Sequence, residues 1–350
     1  YKQHFFNTTL LAIDNPFEPE STIETIESEN DNVVKYYSSN LEINFNQLAS
    51  EEFDMKFYFG PNHVPTLKKV GHELDHIIPL GWVIFRAVNE YAIVPLFNFL
   101  RGIFSNYGLV ILLLTLIVKL VLLPLTYKSY KSTAKMKVLK PEIDKLKERF
   151  KGDAQKTQME TMQLYRKFGV SPAGGCLPMV LQMPILLAIF FFFPSSIELR
   201  QESFLWAEDL SRYDSVLELG FSIPFYGDHV SLFTILMTVA TFLYTYMNNQ
   251  VSGVDGPMKN IGYIMPIFFL GFFNNYASGL TYYYFLSNII TFSQQFAIKK
   301  FFVDEDKIKA QMENYHKTKG KKKKEPSKFQ KKLEEMAKQR GLDPKTGKRK

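Results

Sequence analysis

Five apolar stretches, separated by polar segments, dominate residues 107–298 of this chain. They occupy residues 107–127, 175–193, 230–247, 259–274 and 278–298. The first stretch contains 21 residues with a single charge, and a helix of that length rises about 30 Å, which matches the hydrocarbon thickness of a bilayer. A soluble protein can bury one such run in its core, but five in close succession predict membrane-spanning helices. The short connection 275–277 predicts a tight hairpin between the last two.

Basic residues are distributed unevenly among the connecting segments. Residues 128–172 contain twelve Lys or Arg against five Asp or Glu, and residues 299–350 contain nineteen against eight. Residues 194–229 contain two against seven, and residues 1–75 contain five against thirteen. Because basic loops stay on the cytoplasmic side, the pattern places residues 128–172 and the C-terminal segment inside and the two acidic segments outside.

The N-terminal region is predicted to be the end of a β-rich extracytoplasmic domain, residues 1–79. Aromatic and β-branched residues alternate partly with polar ones over residues 33–46 and 52–60, which predicts strands. A turn is expected at residues 59–62, which read Phe-Gly-Pro-Asn.

Residues 80–104 are apolar but interrupted by polar groups. Arg86, Asn89 and Glu90 fall on one face of a helix. A spanning helix tolerates few such groups, whereas an amphipathic helix in the plane of the outer headgroups accommodates them, and Trp82 suits that depth. We therefore predict an interfacial helix here.

The segments on the basic side are predicted to differ from each other. Apolar residues spaced three or four apart predict a cytoplasmic helical hairpin over residues 129–172. Residues 303–350 are predicted to be a basic, disordered cytoplasmic tail, because a lysine-rich chain buries too little apolar surface to fold alone. Anionic lipid, ribosomal RNA and a simple topology signal are all compatible with its charge.

Lys119 is the most informative polar residue of the apolar stretches. It lies nine residues, about 13 Å along a helix, from Lys128 at the inner end of its stretch, which is further than a lysine side chain reaches. A cation at that depth is costly unless it faces water or a partner, and none of the five stretches contains an Asp or Glu. We therefore favour a hydrated groove, the alternative being a lysine that reaches the interface through a thinned bilayer.

Other stretches supply polar side chains at helical spacing. The groove is expected to contain, beside Lys119, the side chains of Thr115, Gln182, Tyr284, Asn288, Thr291 and Gln295. A threonine stripe at 234, 238, 241 and 245 is interpreted instead as helix–helix packing.

Several kinds of chemistry are not indicated. The single cysteine, Cys176, excludes an internal disulfide framework and is expected to pack at the start of a helix. The apolar stretches contain no nucleophile–base pair, phosphate-binding loop, redox pair or metal-ligand spacing, so neither enzymatic activity nor a cofactor is expected. Three histidines near two acids in residues 63–76 allow a metal site, but solvated loop residues are the favoured interpretation.

Several short motifs resemble those of the YidC family of bacterial membrane insertases. In chain order they are FYFGP at 57–61, LPLT at 123–126, KMKVLKP at 135–141, SPAGGCLP at 171–178, QMP at 182–184, MP at 265–266, SGL at 278–280, SN at 287–288 and QQ at 294–295. The similarity covers residues 57–302, and the motifs occur in the family's order and at its intervals.

The resemblance implies a core of five helices, residues 105–302, around a groove that is open to cytoplasm and lipid and closed outside. It also implies that a first spanning helix and most of the β-rich domain precede Tyr1 in the full-length protein. The family's usual groove cation is arginine, and Lys119 stands in that position. Lysine keeps the charge but loses the bidentate geometry of a guanidinium group.

The implied activity is transfer of nascent membrane proteins into the bacterial inner membrane without nucleotide hydrolysis, alone or with the Sec translocon. No small-molecule substrate is implied, and the basic tail is expected to contact the ribosome and anionic lipids. An incoming apolar helix would slide along Met183, Pro184, Pro266, Ile267 and Phe268.

Two other functions are compatible with parts of the pattern. A small-solute transporter or channel also uses an intramembrane cation, although the stretches show no obvious internal repeat. A membrane assembly scaffold would act through the β-rich domain, so removal of residues 1–75 would abolish its activity, whereas an insertase core would retain much of its own.

Overall fold

The computed structural model describes residues 1–27, 33, 35–45, 50–150, 153–171, 173–252 and 257–318. The chain divides into two units. The first unit comprises Tyr1–Pro124, Pro178–Asn248 and Val254–Gln294, and the second comprises Leu125–Leu177, Asn249–Gly253 and Gln295–Lys350.

The strands of the described chain form three antiparallel pairs. The strands are β1 (Phe6–Ala12), β2 (Thr22–Glu27), β3 (Lys35–Asn40), β4 (Met55–Pro61), β5 (Leu217–Ile223) and β6 (Gly227–Val230). Strand β1 pairs with β4, β2 with β3, and β5 with β6. The predicted turn at residues 59–62 is wrong, because Phe59, Gly60 and Pro61 continue β4 opposite β1. Pairing with a strand distant in sequence overrides the local turn preference of Gly and Pro.

The helices account for most of the remaining chain. They are α1 (Val64–Val70), α2 (Val83–Val88), α3 (Val94–Arg101), α4 (Tyr107–Val138), α5 (Lys140–Arg149), α6 (Ala154–Lys167), α7 (Ala173–Ser195), α8 (Leu232–Ser252), α9 (Pro257–Phe273), α10 (Ser278–Ala297) and α11 (Glu305–Thr318). Helices α4 and α7 to α10 correspond to the five apolar stretches, and α4 continues beyond its stretch to Val138.

Two helical segments of the described chain are individually long and apolar enough to cross a bilayer. They are Val83–Arg101 and Tyr107–Val138, while the apolar helical segments Gln182–Ser195 and Asn260–Phe273 are shorter. The first of these coincides with the segment that we predicted to lie in the interface.

The polar face of that segment points into the protein. Asn89 is fully buried, and its amide donates to the carbonyl oxygens of Leu80 at 2.9 Å and Ala188 at 2.7 Å. Arg86 donates to Asp75 at 2.8 Å. The protein therefore supplies partners for some of the polar groups that argued against a spanning helix, although Arg86 Nε and Asn89 Oδ1 are buried without a hydrogen-bond partner in the described chain. Trp82 and other apolar side chains face outward. The segment is also not one regular helix, since a π-helical turn, Asn89–Ile93, separates α2 from α3. Its interfacial position stays a prediction.

The core of the first unit lies at one end of its helices. The residues buried there include Ile111 near the start of α4, Phe193 near the end of α7, Phe233 at the start of α8 and Tyr283 near the start of α10. Phe97 of α3 joins them and meets the Phe192 ring edge-on, with centroids 5.2 Å apart. The predicted topology assigns this tightly packed end to the extracytoplasmic side.

The second unit contains the end of α4, α5, α6 and α11. Met136 and Leu139 pack in one apolar cluster with Ile308 and Met312 of α11. Disorder is therefore a wrong prediction for Glu305–Thr318, because these two apolar residues at helical spacing give the segment a buried face. Three predictions concern parts of the chain outside the described residues. These parts are residues 319–350, residues 151–152 of the predicted hairpin turn, and the Cys176 side chain.

Candidate functional site: a buried cation and its polar neighbours

Lys119 lies on α4 and is buried, with 3% of its surface exposed. Its ammonium nitrogen has no hydrogen-bond partner within the described part of the chain. The residue's main chain is held, because the side-chain amide of Gln294 donates to the Lys119 carbonyl oxygen at 3.0 Å. The lysine is thus fixed at its backbone while its charged group is left unsatisfied.

Gln294 carries a second unsatisfied atom. Its Oε1 is buried and, among the described residues, accepts no hydrogen bond. Buried polar atoms in native proteins are normally satisfied by protein groups, by ordered water or by a bound molecule, because an unsatisfied one costs about 1–3 kcal/mol. Two such atoms on residues in direct contact mark a place that suits water or a polar segment of another molecule.

The predicted stripe on α10 connects this helix to its neighbours. The Tyr284 hydroxyl donates to the Leu186 carbonyl oxygen of α7 at 3.2 Å, and the Asn288 amide donates to the Thr241 hydroxyl of α8 at 2.7 Å. The Thr291 hydroxyl donates to the Ser287 carbonyl oxygen at 2.7 Å within α10. Tyr284 and Asn288 therefore link α10 to α7 and α8 by polar contacts, whereas the Thr291 bond stays within its own helix.

The other predicted groove residues play smaller parts. Thr115 is buried one turn before Lys119, and its hydroxyl donates to the Ile111 carbonyl oxygen of its own helix at 2.6 Å. Gln182 on α7 and Gln295 on α10 are both half-buried. Hydrogen bonds thus connect α10, which carries the predicted stripe, to α4, α7 and α8. No hydrogen bond of the described residues joins the Lys119 side chain to any of the other six predicted side chains.

Two residues of this polar region were not among the predicted groove residues. Gln294, rather than Gln295, contacts Lys119, and Thr241 belongs to the polar network although its stripe was interpreted as packing. Gln294 has no sequence signal of its own, because the rotation of α10 against α4 determines which of the two adjacent glutamines meets Lys119. Thr241 has none, because only the partner helix determines which threonine meets Asn288.

The predicted sliding surface is partly exposed. Met183, Ile267 and Phe268 expose half or more of their surfaces, whereas Pro184 is half-buried and Pro266 is buried. Pro266 lies within α9 and is buried, whereas the two residues that follow it face outward.

A second polar cluster closes the opposite end of the helices. Asp214 is buried, and its carboxylate accepts hydrogen bonds from the Trp206 indole N–H at 2.8 Å, the Ser231 hydroxyl at 2.5 Å and the Phe233 backbone N–H at 3.0 Å. Ser231 in turn accepts from the Thr234 backbone N–H at 3.1 Å. Together, Asp214 and Ser231 cap the start of α8, where a negative charge is favoured.

The same cluster reaches the connection between α9 and α10. The Asn274 amide donates to the carbonyl oxygens of Tyr226 and His229, both at 2.9 Å, and its own side-chain oxygen accepts from the Ser231 backbone N–H at 3.0 Å. A hydrogen bond with His229 lowers the pKa of the neighbouring Asp228 carboxyl. These bonds tie the acidic connection 194–229 and the start of α8 to the connection between α9 and α10.

Comparisons with known proteins place the chain among membrane proteins. Residues 99–307 match the family model described as 60Kd inner membrane protein, and residues 1–88 match that of the YidC periplasmic domain. The family resemblance predicted from the motifs is thereby confirmed.

Curated relatives carry the name "Membrane protein insertase YidC". The relative from Amoebophilus asiaticus is 49% identical over 312 residues, covering 89% of this chain and 52% of the relative. That from Parabacteroides distasonis is 44% identical over 353 residues, covering 96% and 55%. The chain therefore spans about half the length of these relatives. A solved structure titled "Active YidC insertase crystal structure with the first transmembrane domain resolved" is 27% identical, covers 73% of this chain and 59% of that one, and has a TM-score of 0.47.

The family matches agree with the described architecture. A helical core that follows a β-rich periplasmic region confirms the predicted fold class, an α-helical polytopic membrane protein of the inner membrane. Since the first of these models matches more than half of the residues, the chain belongs to the 60Kd inner membrane protein family.

Proposed function

We propose that this chain moves nascent membrane proteins into the lipid bilayer, with the polar region around Lys119 as the surface that receives the polar part of the substrate. The observation that carries the proposal is the buried ammonium group, which has no hydrogen-bond partner in the described chain. A purely structural lysine in this position would be expected to pair with a carboxylate or carbonyl group. The curated relatives' name supports the same activity.

The physical basis is a lower cost of bringing polar groups into the membrane. A peptide segment in hydrocarbon leaves its backbone and polar side chains unsatisfied, which is what prevents its transfer. Hydrogen-bonding capacity at Lys119 and Gln294 offers replacement partners part-way across, and the positive charge attracts acidic segments. The apolar helix of the substrate would leave along the exposed side chains of Met183, Ile267 and Phe268. Transfer of this kind needs no nucleotide hydrolysis by the chain.

The proposed partners follow from the same scheme. Nascent membrane proteins are the substrates, received with or without the Sec translocon. The lysine-rich C-terminal segment supplies charge for contact with the ribosome and with anionic lipids.

Reconstitution in liposomes tests the function directly. We expect liposomes that contain the purified chain to insert a single-span protein with a short acidic translocated tail several-fold more than protein-free liposomes do, measured by protease protection of the tail. Insertion at the protein-free level would refute the proposal. Solute flux without insertion would instead favour a transporter, and loss of activity on removal of residues 1–75 would favour a scaffold.

Ribosome binding provides a separate expectation for the tail. Replacement of the four lysines at 321–324 by glutamine should weaken ribosome co-sedimentation, and the difference should shrink as salt rises from about 50 to about 200 mM, because phosphate contacts release counterions. Arginine at the same four positions keeps the charge and serves as the matched control. Equal binding of the glutamine and arginine variants at low salt would remove this role from the segment.

A further inference from the structure

A basic pocket lies within the second unit, between the end of the first apolar stretch and the start of α11. Its volume is about 520 Å³, and its lining includes Tyr127, Lys131, Lys300, Asp304 and Lys307. Among the described residues, three lysines thus line this cavity and Asp304 supplies its one carboxylate. We call these five residues the basic pocket.

The carboxylate of the basic pocket is already engaged. Asp304 accepts from the backbone N–H groups of Asp306 at 3.0 Å and Lys307 at 3.1 Å, so it caps the start of α11. The Lys307 ammonium also lies 3.3 Å from it. The backbone hydrogen bond from Lys307, followed by that from its side chain, lowers the pKa of the Asp304 carboxyl, which keeps the group ionised and paired within its own turn.

The two remaining lysines have no anionic partner in the described chain. Lys131 is half-buried and makes neither an ion pair nor a side-chain hydrogen bond there, which is unfavourable for a partly desolvated cation. Lys300 is exposed, and its ammonium lies 5.5 Å from the centre of the adjacent Phe301 ring. The pocket therefore presents uncompensated positive charge to whatever enters it.

The position of the basic pocket along the chain is that of the lipid headgroups. Tyr127 is the last residue of the first apolar stretch, and Lys300 follows the end of the last one within the π-helical turn Ile298–Phe302. Tyr127 and Phe302 meet edge to face, with ring centroids 6.3 Å apart. Phe301 and Phe302 expose 71% and 69% of their surfaces beside the lysines, as aromatic residues do where headgroups meet acyl chains.

We propose that the basic pocket binds the phosphodiester headgroup of an anionic phospholipid, with the acyl chains passing over Phe301 and Phe302. Lys131 and Lys300 supply the charge, the Tyr127 hydroxyl supplies a hydrogen-bond donor, and the exposed rings distinguish a lipid from a soluble phosphate. Basic pockets at the cytoplasmic ends of spanning helices are physically suited to such headgroups. The site is independent of the insertase role, because its test measures lipid binding and not insertion.

Binding of defined lipids to the purified full chain in a neutral detergent tests the site. Short-chain phosphatidylglycerol should bind at least about tenfold more weakly to a Lys131→Gln, Lys300→Gln variant than to the unaltered chain, since each lysine near a headgroup contributes about 1 kcal/mol. The matched control is Lys299→Gln, Lys309→Gln, which removes the same charge from exposed lysines outside the pocket lining. This variant should lose less than about threefold, because neither of its lysines lines the pocket.

Another variant and two other ligands distinguish a specific lipid site from a general effect of charge. A Lys131→Arg, Lys300→Arg variant should retain binding, and it serves as the decisive comparison if the glutamine variant unfolds. Equal losses in the pocket and control variants would overturn the proposal, as would equal binding of short-chain phosphatidylcholine. Glycerol phosphate should not compete at concentrations where the lipid saturates, and full competition would reassign the pocket to soluble phosphates.

Discussion

Replacement of Lys119 by alanine is expected to lower membrane insertion about tenfold while leaving the fold intact. The ammonium group is buried and has no hydrogen-bond partner in the described chain, so its removal deletes an unfavourable desolvated charge rather than a stabilising bond. Thermal stability in detergent should therefore hold or rise, while insertion of a substrate with an acidic tail falls. Loss of a charge contact worth about 1.4 kcal/mol corresponds to a tenfold change.

Two further substitutions at this position extend the test. Lys119→Arg keeps the charge and should preserve or improve insertion. Lys119→Glu should be the worst for acidic tails, because attraction becomes repulsion. Lys128→Ala, at the exposed end of the same apolar stretch, is the matched control and should insert normally. A parallel fall of stability and insertion in Lys119→Ala would make the lysine structural, and a stable variant with full insertion would leave the groove proposal without its main support.

The helical core could be predicted from sequence because its signals are local. Length, apolarity and loop charge are properties of single segments, and the five apolar stretches correspond to α4 and α7 to α10. Strand pairing is not local, which is why β1 and the extension of β4 through Pro61 were missed. The helical part of the tail was missed for a similar reason, since Ile308 and Met312 gain a buried position only when Met136 and Leu139 are present.

The polar region could be predicted only in part. The depth of Lys119 within an apolar stretch is visible in the sequence, and its burial follows. The choice between Gln294 and Gln295, or among the four threonines of α8, depends on the rotation of each helix against its neighbour. The polar face of residues 80–104 could be recognised, but its partners could not, because the acceptors of the Asn89 amide come from Leu80 and from Ala188, 99 positions further along the chain.

Asp214→Ala is expected to destabilise the protein by about 3 kcal/mol or more. The substitution leaves three donors, the Trp206 indole, the Ser231 hydroxyl and the Phe233 backbone N–H, without their acceptor in a buried site. Each unsatisfied buried donor costs about 1–3 kcal/mol, and α8 also loses a negative charge at its start. Thermal unfolding in detergent measures the effect.

Graded and control variants identify the cause of that loss. Asp214→Asn keeps the shape and one acceptor oxygen but removes the charge, so its destabilisation should lie between those of the unaltered chain and Asp214→Ala. Glu208→Ala removes an exposed carboxylate from the same connection and should change stability by less than about 0.5 kcal/mol. Equal stability of Asp214→Ala and Glu208→Ala would mean that the carboxylate does not hold the extracytoplasmic end together. An Asp214→Ala variant that makes liposomes permeable to small solutes would show that the bonds that cap α8 also keep the bundle closed on that side.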